Sequence, residues 1–193
     1  MHTKTPLIVL YGGNSPEHDV SRSSALHVVK AIDLDRYETY LIAIDRDGSW
    51  HEFSRNISIE EQSNFQGTLP IEGTLIHPME YFQSFENSQP LVFPLLHGPN
   101  GEDGTIQGLI QLSGVPYIGS KVLSSALCMD KIKCKELLSN YKIPQTKWTS
   151  VHRTNAHNAD LSVLSPDVNL FVKPANMGSS IGVTKVTDRN DIE

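Results

Sequence analysis

The sequence predicts an α/β protein, and three stretches near its start carry that prediction. "PLIVLYGG" (6–13) is a continuous apolar run closed by paired glycines, the pattern of a strand buried on both faces. "SPEHDVSRSSALHVVKAID" (15–33) sets Ala25, Val28, Val29 and Ile32 on one face of a helix. "YETYLIAIDRDGSWHEF" (37–53) holds two strand-like runs around Asp47-Gly48, a hairpin signal because glycine tolerates the positive φ of a tight turn. Strand, helix, strand is how a doubly wound domain with a parallel sheet begins.

Residues 54–89 are polar and weakly periodic, and they read as a surface excursion with one short strand near Thr74–Ile76. "PLVFPLLHG" (90–98) returns to a buried strand. "DGTIQGLIQLSG" (103–114) puts Ile106, Leu109 and Ile110 on one helical face, with Gly114 as its stop. "VPYIG" (115–119) reads as a further short strand. "SKVLSSALCMDKIKCKELLSNY" (120–141) reads as two short helices, with Asp130 capping the second and Ile132, Leu137 and Leu138 packing inward. "KIPQTKW" (142–148) is extended, and 152–169 is polar with one short helix. Two strands then flank a glycine-serine loop in "FVKPANMGSSIGVTKV" (171–186). "TDRNDIE" (187–193) has Thr187 or Asp188 at an N-cap position, which begins a helix. The expected organisation is a first domain over 1–125 and the opening part of a second, α+β domain over 126–193.

A net charge of −6 argues against a general binder of nucleic acid or anionic membranes, which carries a basic excess. No apolar run is long enough to span a bilayer, and the apolar stretch at the N-terminus is too short for the core of a signal peptide. Cys128 and Cys134 do not form a C-x-x-C pair, and they read as reduced, partly buried thiols of a cytosolic protein.

Three loops follow apolar strands, where open α/β sheets bind ligands. In "YGGNSPEHDVS" (11–21), Gly12 and Gly13 permit a tight turn and close approach of backbone to ligand. Glu17, near the helix start, either complements the helix dipole or binds a cationic group such as an ammonium. A dinucleotide fingerprint is absent, because the third glycine is missing. In "HGPNGEDGTIQG" (97–108), Asp103 reads as a helix cap and Glu102 is more open. His97 either orients a carboxylate or is a hydrogen-bonded structural histidine. In the third loop, Lys173 lies among apolar neighbours with Pro174 ending its strand, a setting that suits a polyanion. Gly178, Ser179, Ser180 and Gly182 form a hairpin tip of small residues whose N–H groups can close over phosphate oxygens. With no helix dipole behind it, such a tip acts as a lid or is an ordinary flexible hairpin.

Taken together, "GGNSPEHDVS", "HGPNGEDGTIQG", "PYIGSKVLSSALCMDK" and "FVKPANMGSSIGVTKV" resemble the D-alanine–D-alanine ligases of the ATP-grasp superfamily, in the family's order and spacing. The resemblance implies a Rossmann-like pre-ATP-grasp domain followed by the first, truncated part of an ATP-grasp domain. It implies ATP-dependent joining of two D-alanines through an acyl phosphate, for peptidoglycan synthesis in the bacterial cytoplasm. By the same resemblance Glu17 holds the ammonium of the first D-alanine, and Ser179 is its partner in closing the site. His97 lies near that substrate's carboxylate and Glu102 supports its loop. Lys131, which by spacing alone reads as a solvated helix lysine, and Lys173 touch the ATP phosphates, which Gly178, Ser179, Ser180 and Gly182 cover. Mg²⁺ is implied with ligands beyond these residues, so none is assigned here, and homodimerisation is implied through the first domain. A chain lacking those further residues is expected to be inactive alone. A non-catalytic substrate-binding or dimerising fragment, and a D-alanine–D-lactate ligase, are the alternatives.

Overall fold

The computed structural model describes residues 4–85, 88–154, 161–164 and 169–187. The chain divides into two compact units, Met1–Ala126 and Leu127–Glu193. Among the described residues the elements run in order, beginning with β1 (Thr5–Gly12), α1 (His18–Ala31), β2 (Tyr37–Ile44), β3 (Trp50–Ser54) and α2 (Ile59–Asn64). Next come β4 (Thr74–Ile76), α3 (Pro78–Gln83), β5 (Leu91–Pro94) and α4 (Thr105–Ser113). The last are α5 (Val122–Met129), α6 (Lys131–Asn140), β6 (Leu170–Val172) and β7 (Thr184–Val186), α5 crossing the division.

The first unit is an α/β layer structure on a five-stranded sheet of order β4-β3-β2-β1-β5. β1 pairs in parallel with β2, from Thr5↔Tyr37 to Gly12↔Ile44, and with β5, from Leu7↔Leu91 to Leu10↔Pro94. The expected parallel sheet is therefore only part of a mixed one, because β3 joins β2 antiparallel through the Gly48 hairpin and β4 pairs antiparallel with β3. Alternation along the central strands sends side chains to two cores. Ile8, Leu10, Ile42, Ile44 and Val92 meet Tyr81 and Phe82 of α3 and Ile106 and Ile110 of α4. Leu7, Val9, Tyr11, Leu41 and Ala43 meet Ala25, Leu26 and Val29 of α1.

Residues 54–89 correct the reading of a surface excursion. Ser58 and Glu61 make a reciprocal capping box that starts α2, and Pro78 stands in the first turn of α3, where its missing N–H costs nothing. The segment delivers Ile57 and Leu69 to one core and Tyr81 and Phe82 to the other. The short strand expected over 115–119 is reduced to a single bridge, Val92↔Tyr117. Pro116 has no N–H to extend the ladder, and its carbonyl accepts from Val92.

In the second unit, Asp130 caps α6 by accepting the N–H groups of Ile132 and Lys133, at 2.9 and 3.0 Å. Leu137 does not pack inward as expected: it is 38% exposed, and no described residue of α6 is fully buried. The extended stretch after α6 runs back along it, with Gln145 Nε2 donating to Lys135 O and Ser139 Oγ. β6 and β7 form an antiparallel two-stranded ribbon, from Leu170↔Val186 to Val172↔Thr184. Both cysteines are free thiols, Cys128 exposed and Cys134 partly so. The helix start expected at Thr187 or Asp188 runs into 188–193, outside the described residues. Among the described residues, no helix is long and apolar enough to cross a membrane.

Candidate functional site

In the first unit, the loops after β1 and β5 lie against each other at the carboxyl ends of these two adjacent parallel strands. The first loop turns sharply because Gly12 and Gly13 adopt φ of +88° and +95°. A Cβ on Gly12 would run into the carbonyl oxygen of Ile44, so the turn needs glycine there. Ser21, fully buried on α1, locks the ends of both strands. Its Oγ accepts the Gly12 N–H at 2.8 Å and donates to Leu95 O at 2.6 Å.

Glu17 is the N-cap residue of α1, but its side chain makes no capping hydrogen bond. Its side chain is 5% exposed and packs against the bare backbone of Gly98 in the opposite loop. Ser15 bridges the loops: Oγ donates to His97 O at 2.7 Å and accepts the Glu17 N–H at 2.9 Å. His97, partly buried, has Nε2 3.1 Å from Ser24 Oγ of α1, while Nδ1 stands 4.0 Å from Glu102 Oε1. Glu102 holds the loop from within, its Oε2 accepting the Gly98 N–H at 2.8 Å. Asp103 accepts from Asn100 and Thr105, at 2.9 and 3.0 Å. It thus ties the loop to the first turn of α4 from one position before the N-cap, Gly104. Burial pushes the Asp103 carboxyl up, but those N–H bonds outweigh it and hold the carboxyl below its ordinary value. Glu17, His97 and Glu102 are thus brought into one loop cluster, with Ser15, Ser21 and Ser24 as partners that sequence reading passed over. The signal was the stripe His18, Ser21, Ala25, Val29, which puts polar groups on the buried face of α1.

In the second unit, Lys131 opens α6, and its ammonium reaches the turn that follows β6. Nζ donates to the carbonyls of Ala175, at 3.5 Å, and Met177. The Lys131 backbone N–H also donates to Ala175 O, at 3.0 Å. The lysine is a structural strut of the loop that leads to Gly178 and not the freely solvated side chain that its spacing implies. Lys173 corrects its sequence reading in the other direction. It is exposed beside Phe171, at 59% exposure, and Val172, neighbouring positions of the ribbon that face opposite sides. The tip beyond it holds Ser179, Ser180 and Gly182 at φ of +49°, +60° and +69°. Two consecutive serines in the left-handed region cost free energy that a relaxed hairpin avoids. A Cβ on Gly182 would stand 2.7 Å from Pro174 Cγ, so the tip folds tightly back on its own base. Among the described residues no group of three His, Cys, Asp or Glu side chains converges where a metal ion could sit.

Comparison with known proteins bears on both units. The family model described as D-ala D-ala ligase N-terminus matches residues 6–120, and that described as D-ala D-ala ligase C-terminus matches 137–193. A D-alanine–D-alanine ligase of Listeria welshimeri is 38% identical over 98% of this chain and 56% of its own length. One from Enterococcus gallinarum is 41% identical over 97% of this chain and 60% of its own length. Among solved structures, the D-alanine-D-alanine ligase from Coxiella burnetii superposes with a TM-score of 0.77 at 28% identity, covering 97% of this chain and 58% of that one. The VanG D-Ala:D-Ser ligase from Enterococcus faecalis gives 0.70 at 30%, covering 97% and 57%. The chain therefore spans little more than half the length of the relatives it matches.

Proposed function

Since the chain belongs to the D-alanine–D-alanine ligase family, we propose that it supplies the first-substrate site and the phosphate flap of an ATP-dependent ligase. The reaction joins two D-alanines for peptidoglycan synthesis. The carboxylate of the first takes the γ-phosphoryl group of ATP, giving an acyl phosphate and ADP. The amine of the second attacks that carbonyl, and phosphate leaves the tetrahedral intermediate.

The observation that carries this reading is Glu17: a nearly buried carboxylate at the carboxyl ends of β1 and β5, resting against the bare backbone of Gly98. A carboxylate so placed pairs best with a cation that it can desolvate and hydrogen-bond, and the ammonium of D-alanine is one. His97, oriented by Ser24 and facing Glu102, is proposed to lie near the carboxylate of the same substrate. In the second unit, Lys131 and Lys173 are proposed to touch the ATP phosphates, with Gly178, Ser179, Ser180 and Gly182 closing over them and shielding the acyl phosphate from water. Supporting this, Lys131 is already tied to the base of that loop. ATP and Mg²⁺ belong to the same proposal, and among the described residues no three His, Cys, Asp or Glu side chains converge to hold the metal. A cytoplasmic homodimer formed through residues 1–125 belongs to the same proposal.

The test is calorimetry of D-alanine with the 193-residue chain. E17Q is expected to weaken binding at least tenfold, about 1.4 kcal/mol. Unchanged affinity in E17Q overturns the assignment. With ATP, Mg²⁺ and D-alanine together, this chain, about half the length of its relatives, is expected to release no phosphate above background.

A further inference from the structure

Ser15 Oγ links the Glu17 backbone to the loop carrying His97. Ser15 is 9% exposed, and its hydroxyl is used in both directions, donating to His97 O across 82 residues of chain and accepting the Glu17 N–H. The next residue in the opposite loop, Gly98, has φ of +73°. A Cβ there would lie 2.5 Å from Glu17 Oε2 and 3.0 Å from Ser15 Oγ. The backbone of one loop is thus a wall against which the carboxylate of the other rests, and the hydroxyl sets how far apart they stand. The wall is itself fixed from behind, since the Gly98 N–H donates to Glu102 Oε2.

From this geometry we infer that Ser15 is a positioning residue for substrate binding. It acts through Glu17, fixing the carboxylate against Gly98 so that it meets an ammonium without reorganising. The inference rests on Glu17 holding the ammonium of the first D-alanine. Removing the hydroxyl leaves two backbone groups of the loop pair without the partner that aligns them, and the carboxylate loses its fixed approach. A side chain at position 98 would push that carboxylate off its resting place.

The experiment titrates D-alanine into the wild-type chain, S15A, S15T, E17Q and S15A/E17Q, and follows amide hydrogen exchange at Glu17. S15A is expected to weaken D-alanine at least tenfold with little change in Tm, and S15T, which keeps the hydroxyl, to restore most of the loss. In the E17Q background S15A is expected to add less than twofold, because the hydroxyl acts only through that carboxylate. If E17Q weakens binding while S15A stays within twofold of wild type, the positioning role falls and the site assignment stands. If E17Q itself changes nothing, the assignment falls and the positioning role with it. A full additive loss in the double variant, or equal losses in S15A and S15T, replaces positioning with general loosening of the loop. The mutation-free check is exchange in the wild-type chain: the Glu17 N–H is expected to be protected, and solvent-like exchange overturns the clamp.

Discussion

At the scale of single residues, the loop pair is held by groups with one consequence each. Gly98 is the sharpest case. Alanine there must adopt a positive φ and place its methyl on the Glu17 carboxylate and the Ser15 hydroxyl, so G98A is expected to abolish measurable D-alanine binding while the sheet remains folded. Calorimetry beside far-UV circular dichroism checks both halves of that statement. Asp103 makes a pH-dependent contribution. Its carboxyl sits below its ordinary value of 3.8 because the N–H groups of Asn100 and Thr105 favour the anion over the opposing effect of burial. A group depressed on folding adds stability that is complete above its unfolded value and lost as pH falls through its folded one. D103A is therefore expected to cost about 1 kcal/mol near neutrality, the usual worth of a capping side chain. In urea unfolding the gap between D103A and wild type should close as pH falls through the folded value, where both states bind the proton. Sequence alone reaches Glu17, His97 and Glu102, because a carboxylate or imidazole in a glycine-punctuated loop after an apolar run stands out. It does not reach Ser15, Ser21 and Ser24, since serines at a helix start read as capping until their partners 70 to 80 residues away are seen. Lys173 shows the reverse failure, where apolar neighbours in sequence became exposed neighbours in space.

At the scale of elements, legibility follows periodicity and length. β1, α1, α4 and the Gly48 hairpin were readable, because each carries a continuous apolar run, a helical stripe or a required positive φ. α2 and α3, six residues each, are too short for a stripe to emerge, and only the capping box of α2 and the first-turn proline of α3 mark them. α2 therefore leans on its cap. S58A removes the hydroxyl that accepts the Glu61 N–H and is expected to cost about 1 kcal/mol of unfolding free energy, less if α2 frays without disturbing Ile57. α4 depends on packing instead. Ile110 is 0% exposed in the core shared by α4, β1 and β5, so I110A should cost about 2–5 kcal/mol and weaken D-alanine binding no more than its effect on the folded fraction. A loss of affinity in fully folded I110A would mean that α4 sets the loop geometry directly, against the view that the hydrogen bonds of the 97–103 loop do so.

At the scale of the molecule, stability and chemistry are unevenly shared between the units. Every described apolar residue that is fully buried lies between Leu7 and Val115, with the single exception of Val186. Both hydrophobic clusters are complete within the first unit, closed by α1 on one face of the sheet and by α3 and α4 on the other. The second unit keeps its described order through local devices: the Asp130 cap, the Gln145 bonds to α6, the Lys131 ammonium on two loop carbonyls and a three-pair ribbon. Each of these is worth about 1 kcal/mol net, and none substitutes for a core. Residues 1–126 expressed alone are accordingly expected to unfold within a few degrees of the 193-residue chain and to bind D-alanine with the same affinity. In the longer chain, native-state hydrogen exchange should find the global unfolding free energy in β1, β2 and β5 and far lower protection in α6, β6 and β7. A shorter chain that fails to fold, or ribbon amides as slow as those of β1, would mean that the second unit carries part of the core, and the division of labour argued from burial would be wrong.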